Sequence, residues 1–262
     1  MTYQFDHQWH QERARLAALE AAFDPWSKRA ILAANPQAGW RCLEVGGGGG
    51  SIAEWLCELV GPTGEVVATD VETKFLEGIE ADNLRVRNHD ITKDPLEESV
   101  FDLIHIRAVL AHLPQRDAIL RRLIAALRPG GWLVPVVTDF SSVRAVQAPA
   151  EEIDFFDKKF ASVIEAAGVT GFDPYYGRRI GAILRAQGLR EVCIEGIVLE
   201  WDAGHPLAAL YRKTFLRLRD LVISNGTLSE EHFQRLQDLM QSPDFYGLSN
   251  TLFVARGRKV AP

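Results

Sequence analysis

Five consecutive glycines, Gly46 to Gly50, follow directly on Arg41-Cys-Leu-Glu-Val45 and give way to Ser51, where a helical pattern begins and runs to Val60. Glycine has no Cβ, so the chain can turn sharply at the end of a strand and bring its backbone close to a ligand. Glu65-Val-Val-Ala-Thr-Asp70 reads as the next strand and completes one strand-helix-strand unit. A glycine turn inside such a unit commits the chain to a parallel sheet covered by crossover helices.

The alternation continues with a short helix near Thr73 to Gly78, strands at Leu84 to His89 and Phe101 to Ile106, a helix at Gln115 to Leu127 and a strand at Gly131 to Thr138. Arg128-Pro-Gly-Gly131 supplies a helix stop and a turn. These strands imply a doubly wound, mainly parallel α/β sheet of the Rossmann-like class. Ahead of it, helical spacing predicts one helix from Gln8 to Ala22 and another from Pro25 to Asn35. Behind it come helices at Glu151 to Ala167 and Arg178 to Gln187, separated by a Gly/Pro/Tyr-rich loop at Gly168 to Gly177. A strand at Leu189 to Trp201, helices at Pro206 to Ser224 and Ser229 to Gln241, and a strand at Ser249 to Arg258 complete the chain. The 262 residues are thus expected to form one domain: N-terminal helices or lid at 1–37, a ligand-binding core at 38–140, and helical cap segments at 141–188 and 202–248 over the carboxyl edge of the sheet.

Composition narrows the partners. The formal charge is -6 and the basic residues are scattered, so there is no basic face for gripping a phosphate backbone, and nucleic acid is not an expected substrate. No apolar run approaches a membrane span, and the N-terminal stretch lacks a positively charged, apolar leader, so the expected location is cytoplasmic. Cys42, Cys57 and Cys193 form neither a CxxC pair nor a metal-ligand cluster and are expected to be reduced; no metal is expected. Asn225-Gly-Thr227 matches a glycosylation sequon but reads as a loop between helices. Helix 206–224 alternates Arg and Lys with Leu and Phe, a pattern read as the solvated face of a cap helix rather than a membrane-surface helix. Oligomeric state is left open, with a homodimer compatible.

Gly46, Gly48 and Gly50 make a G-x-G-x-G series, whereas the dinucleotide fingerprint needs a glycine where Ser51 stands. Glu44, just before the loop, suits a cationic ligand better than a pyrophosphate. Asp70 closes the second strand about twenty residues on, where such sheets present a carboxylate to ribose hydroxyls.

Taken in order, LEVGGGGG, VVATD, NHDIT, FDLIHIRAVLAHLP and LRPGGWLV resemble the class I methyltransferases that use S-adenosylmethionine (SAM), in particular the bacterial small-molecule, ubiquinone/menaquinone-methyltransferase-like type, over about residues 38 to 140. The resemblance implies a seven-stranded sheet with an antiparallel last strand and SAM over the carboxyl ends of strands one to four. It implies that Gly46, Gly48 and Gly50 line the methionine end and that Asp70 holds the ribose. Val71 would pack on adenine, Asp90 and Ile91 would meet its edge, and His105, Ile106 and Arg107 would lie beside the methionine moiety.

His112 has two readings, a neutral base taking a proton from a hydroxyl acceptor or a helix-packing residue, and Asp139 is a comparable candidate. Tyr3, Phe5, His7 and Trp9 with Tyr175, Tyr176 and Arg178 form either an aromatic lid over an apolar acceptor or structural anchors. The expected reaction is methyl transfer from SAM to a small organic acceptor, a hydroxyl of an aromatic or polyketide-like metabolite. Two alternatives stand beside it. The first is a SAM-binding protein of this fold that catalyses a non-methylating step such as a cyclisation. The second is an NAD-dependent dehydrogenase, disfavoured by Glu44, the glycine spacing and the lack of a Tyr-x-x-x-Lys.

Overall fold

The computed structural model describes residues 10–260, so Tyr3, Phe5, His7 and Trp9 lie outside the described residues. The central sheet contains β1 (Arg41–Val45), β2 (Glu65–Asp70), β3 (Leu84–Asn88), β4 (Phe101–Arg107), β5 (Leu127–Asp139), β7 (Arg190–Ile197) and β10 (Thr251–Arg258). Their order is β3-β2-β1-β4-β5-β10-β7, with β10 antiparallel to both neighbours, as expected for the last strand in the chain. The strand order reverses on either side of β1, and ligands of open α/β sheets bind at that switch point, beyond the carboxyl ends of the strands.

Alternation along the strands divides the interior into two cores. Cys42, Val66, Ala68, Leu103, Val134 and Val136 face α1 (Glu12–Leu32), α2 (Ser51–Val60) and the helices that follow β5. Leu43, Val45, Val67, Ile104, Ile106 and Val137 face α3 (Arg116–Ala126) and α5 (Ile180–Ala186). Beyond β5, the helices α4 (Ala150–Ala167), α6 (Pro206–Ser224) and α7 (Glu230–Leu239) pack on one another around Phe156, Phe160, Tyr211, Phe215 and Phe245. Phe160 meets Tyr211 edge-on at 5.1 Å and Phe215 at 4.8 Å.

Four sequence expectations are corrected. The two N-terminal helices are one, α1, with Pro25 in its interior. A proline there removes a hydrogen bond, but buried Ala22 and Phe23 before it and Ala30 and Ile31 after it hold both halves on the same core. Arg128-Pro-Gly-Gly131 is not a turn between helix and strand: β5 starts at Leu127, and the irregularity is absorbed as a register shift opposite Phe101 to Leu103. The single strand expected at 189–201 divides, because β8 (Glu200–Trp201) leaves the main sheet to pair with β9 (Tyr246–Leu248). β9 also pairs with β6 (Arg144–Gln147), and this small second sheet was not anticipated. Among the described residues, no helix is long and apolar enough to cross a membrane.

Candidate active site

A cavity of about 520 Å³ opens over the carboxyl ends of β1, β2, β4 and β5, roofed by α1, α4 and α6. This volume is within the range of roughly 300–1,000 Å³ typical of small-molecule sites. Its two ends differ in chemistry. One holds Gly46 to Gly49, Asp70, Val71, His89 to Lys93 and Arg107, and the other holds Phe23, Phe140, Ile164, Phe172, Leu210 and Phe215 among its apolar members.

The glycine loop has the shape it has because side chains cannot fit. Gly46 has φ +69°, and a Cβ there would collide with the Val109 side chain. Gly50, with φ +94°, is the N-cap of α2 and is packed beneath Ile79, away from the cavity wall. The backbone N–H of Gly48 donates to Asp70 Oδ2 at 3.0 Å and that of Glu72 to Oδ1 at 3.1 Å. Each carboxylate oxygen keeps a further acceptor site toward the cavity. Asp90 is held similarly: Thr92 N–H and Oγ1 donate to Oδ1 at 2.9 and 2.6 Å, and Lys93 Nζ lies 2.7 Å from Oδ2. Burial alone would raise the Asp90 carboxyl, but these contacts outweigh it and bring it down to about 2.

Glu44 does not face the cavity. Parallel register places it directly opposite His105, so the two side chains emerge on the same face of the sheet. His105 Nδ1–H donates to Glu44 Oε2 at 2.6 Å and its Nε2 lies 3.1 Å from Ser27 Oγ on α1, with Glu44 2% and His105 0% exposed. The expected ligand roles of Glu44 and His105 are corrected to a buried contact between sheet and helix. Ile106 is also corrected, pointing into the core under α3. Arg107 does line the cavity, with Nη1 donating to Asp24 Oδ1 at 2.5 Å.

A carboxylate that does line the cavity comes from α1. Glu20 lines the cavity and lies against Gly49, where a Cβ would strike it. Its Oε2 accepts from Arg13 Nη1 at 3.0 Å, while its buried Oε1 has no hydrogen-bond partner among the described residues. Nearby, Arg15 donates to both oxygens of Glu12 at 2.9 and 2.6 Å in a pair with Glu12 fully buried. Glu12, Leu16, Leu19, Glu20 and Phe23 fall at helical spacing on one face of α1. That periodicity was legible, but what the face covers was not.

His112 lines the cavity and stacks on Phe172, centroids 4.7 Å apart. Burial, reinforced by the charges of Arg15 and Arg116, pushes its imidazolium down to about 4, so it is neutral at pH 7. Four substrate candidates lie elsewhere and are corrected: Asp139, Tyr175, Tyr176 and Arg178 do not line the cavity. Asp139 is sequestered by Arg178, whose Nη2 donates to Oδ1 at 2.8 Å, and by Ser141. Tyr175 is exposed against Arg178, and Tyr176 is buried under α5. The aromatic wall is instead formed by Phe140 after β5, Phe172 in the 168–177 loop, and Tyr211 and Phe215 of α6, a helix whose sequence pattern reads only as a cap.

Residues 43–133 match a methyltransferase domain family. Over that segment the chain is similar to class I methyltransferase domains. SAM is the cofactor of that class, and the glycine cradle, Asp70 and the unpartnered Glu20 oxygen fit a nucleoside joined to a zwitterionic amino acid. The chain is 29% identical over 161 residues to methyltransferase str2 of Strobilurus tenacellus, covering 61% of this chain and 57% of that one. It is 31% identical over 125 residues to the ubiquinone/menaquinone biosynthesis C-methyltransferase UbiE of Pseudomonas putida, covering 44% of this chain and 48% of that one. The chain therefore spans only about half the length of these curated relatives. In fold it is similar to phosphoethanolamine N-methyltransferase 2 of Haemonchus contortus, with a TM-score of 0.62 at 15% identity, covering 100% of this chain and 61% of that one.

Proposed function

We propose that this methyltransferase transfers the methyl group of SAM to a hydroxyl of a small aromatic or polyketide-like molecule. The observation that carries this reading is the two-ended cavity, a polar cradle at the β1 and β2 edge continuous with an apolar, aromatic chamber under α4 and α6. In this reading Asp70 accepts from the ribose hydroxyls, Val71 packs on adenine, and Asp90 and Ile91 meet the adenine edge. Gly46 and Gly48 admit the methionine portion, Arg107 faces its carboxylate and Glu20 Oε1 accepts from its ammonium.

Bound SAM supplies a methyl group already activated on a sulfonium. The protein's task is then alignment and exclusion of water: Phe140, Phe172 and Phe215 enclose the acceptor, and α1 closes the chamber from above. In this reading His112, neutral and in the cavity wall, takes the hydroxyl proton as the oxygen is methylated.

The test is calorimetric titration with SAM, S-adenosylhomocysteine and NAD, followed by turnover of a panel of hydroxylated aromatics. Micromolar binding of the first two ligands without NAD, and one S-adenosylhomocysteine per methylated product, is the expected result. Acceptor conversion without S-adenosylhomocysteine would replace methyl transfer with a cyclisation-type reaction, and failure to bind SAM would remove the cofactor.

A further inference from the structure

In the acceptor half of the cavity, one polar side chain is buried with an unused donor. Asn250 sits between β9 and β10, lines the cavity and is 2% exposed. Its neighbour Tyr211, on α6, is 3% exposed and also lines the cavity. The Tyr211 hydroxyl accepts from the Asn250 backbone N–H at 3.1 Å, and its own hydrogen is donated to Asn250 Oδ1 at 2.6 Å. With the hydroxyl accepting from the backbone N–H and donating to Oδ1, the amide turns its other end, Nδ2, away from Tyr211. Nδ2 is buried and has no hydrogen-bond partner among the described residues.

The surroundings keep that donor in place. Tyr211 is packed edge-on by Phe160 and by Trp201, at 5.1 and 5.4 Å. Ser249 Oγ donates to the Asn250 carbonyl at 2.8 Å, and Thr251 is in register with Asp139 of β5. Buried amide groups are normally satisfied, and a rigid, unsatisfied donor in a cavity wall is what a ligand acceptor atom would complete. The donor is a neutral amide beside the apolar side chains Leu210 and Phe215 of the cavity wall, so an uncharged oxygen is the matching partner.

We propose that Asn250 is the polar anchor of the acceptor subsite, its Nδ2–H donating to a second, uncharged oxygen, a carbonyl or ether, on a planar apolar acceptor. This rests on the proposed function and names the substrate class further: an aromatic hydroxyl compound that also carries a neutral oxygen acceptor. Asn250 acts as a positioning residue, fixing the ring while another position of the molecule receives the methyl group.

The experiment uses protein loaded with S-adenosylhomocysteine and two probes of similar shape, 4-hydroxyacetophenone and 4-ethylphenol, with affinities read by saturation-transfer NMR titration. Wild type is expected to bind the ketone about tenfold more tightly, the size of one neutral hydrogen bond to a buried donor. Asn250→Leu should abolish that preference while leaving the affinities for 4-ethylphenol and S-adenosylhomocysteine unchanged. Should the leucine variant fail to fold, Asn250→Ser, too short to reach, should give the same loss. Equal affinity of wild type for both probes, binding of neither, or a preference that survives substitution would overturn the assignment. A wild-type protein that does not bind S-adenosylhomocysteine would instead remove the underlying reading.

Discussion

In the proposed reading Asp70 and Glu20 address different parts of SAM, and substitution separates them. Asp70→Ala deletes two backbone contacts and the acceptor for ribose hydroxyls, and SAM affinity should fall roughly 10- to 100-fold by calorimetry. Glu20→Gln keeps size and removes charge. It should weaken SAM by about tenfold or more but leave 5′-methylthioadenosine, which has no amino-acid portion, unchanged. Equal loss for both ligands would mean that Glu20 shapes the loop and does not meet the ammonium. For His112 the pH sign is definite. Folding favours its neutral form, so between about pH 6.5 and 4 the unfolded chain takes up a proton that the native chain does not, and this group lowers stability progressively as pH falls through that window. If it is the base, kcat/KM should be flat through pH 6.5 and fall only toward pH 4, and a limb centred near 6.5 would exclude it.

At the level of elements, the register of β1 on β4 decides the fate of Glu44, and the continuity of α1 decides what closes the site. Opposite His105 and beneath Ser27, Glu44 is a structural acceptor. Glu44→Ala should lower stability by about 1–3 kcal/mol in urea unfolding, because it leaves the buried Nδ1–H of His105 without its acceptor, while SAM affinity falls less than in Asp70→Ala. The Glu12–Arg15 pair ties the first turns of α1 into the cavity wall. Glu12→Ala should lower stability by roughly 1.5–3 kcal/mol by the same measurement, since it removes two charge-assisted hydrogen bonds from a buried pair.

Across the whole molecule, the strand-helix alternation, the glycine turn and the acid ending β2 were legible in the sequence because each is a local pattern: a period of two or 3.6, a residue without a Cβ, a fixed spacing. They determined the sheet, the class of cofactor and the places of Gly46, Gly48, Asp70, Val71, Asp90, Ile91 and Arg107 on the cavity wall. The tertiary structure alone decided which charges are spent and which remain. Glu44 and Asp139 are consumed by His105 and Arg178, from strands and loops distant in sequence, whereas Glu20 and Asn250 keep an unpaired atom. It also decided that the chamber is walled by Phe23 of α1, Ile164 of α4 and Phe215 of α6, some 50 to 190 residues apart. Hydrophobic periodicity records that a helix face is buried, but it carries no information on whether that face meets a packed core or an open cavity, because both require the same apolar surface.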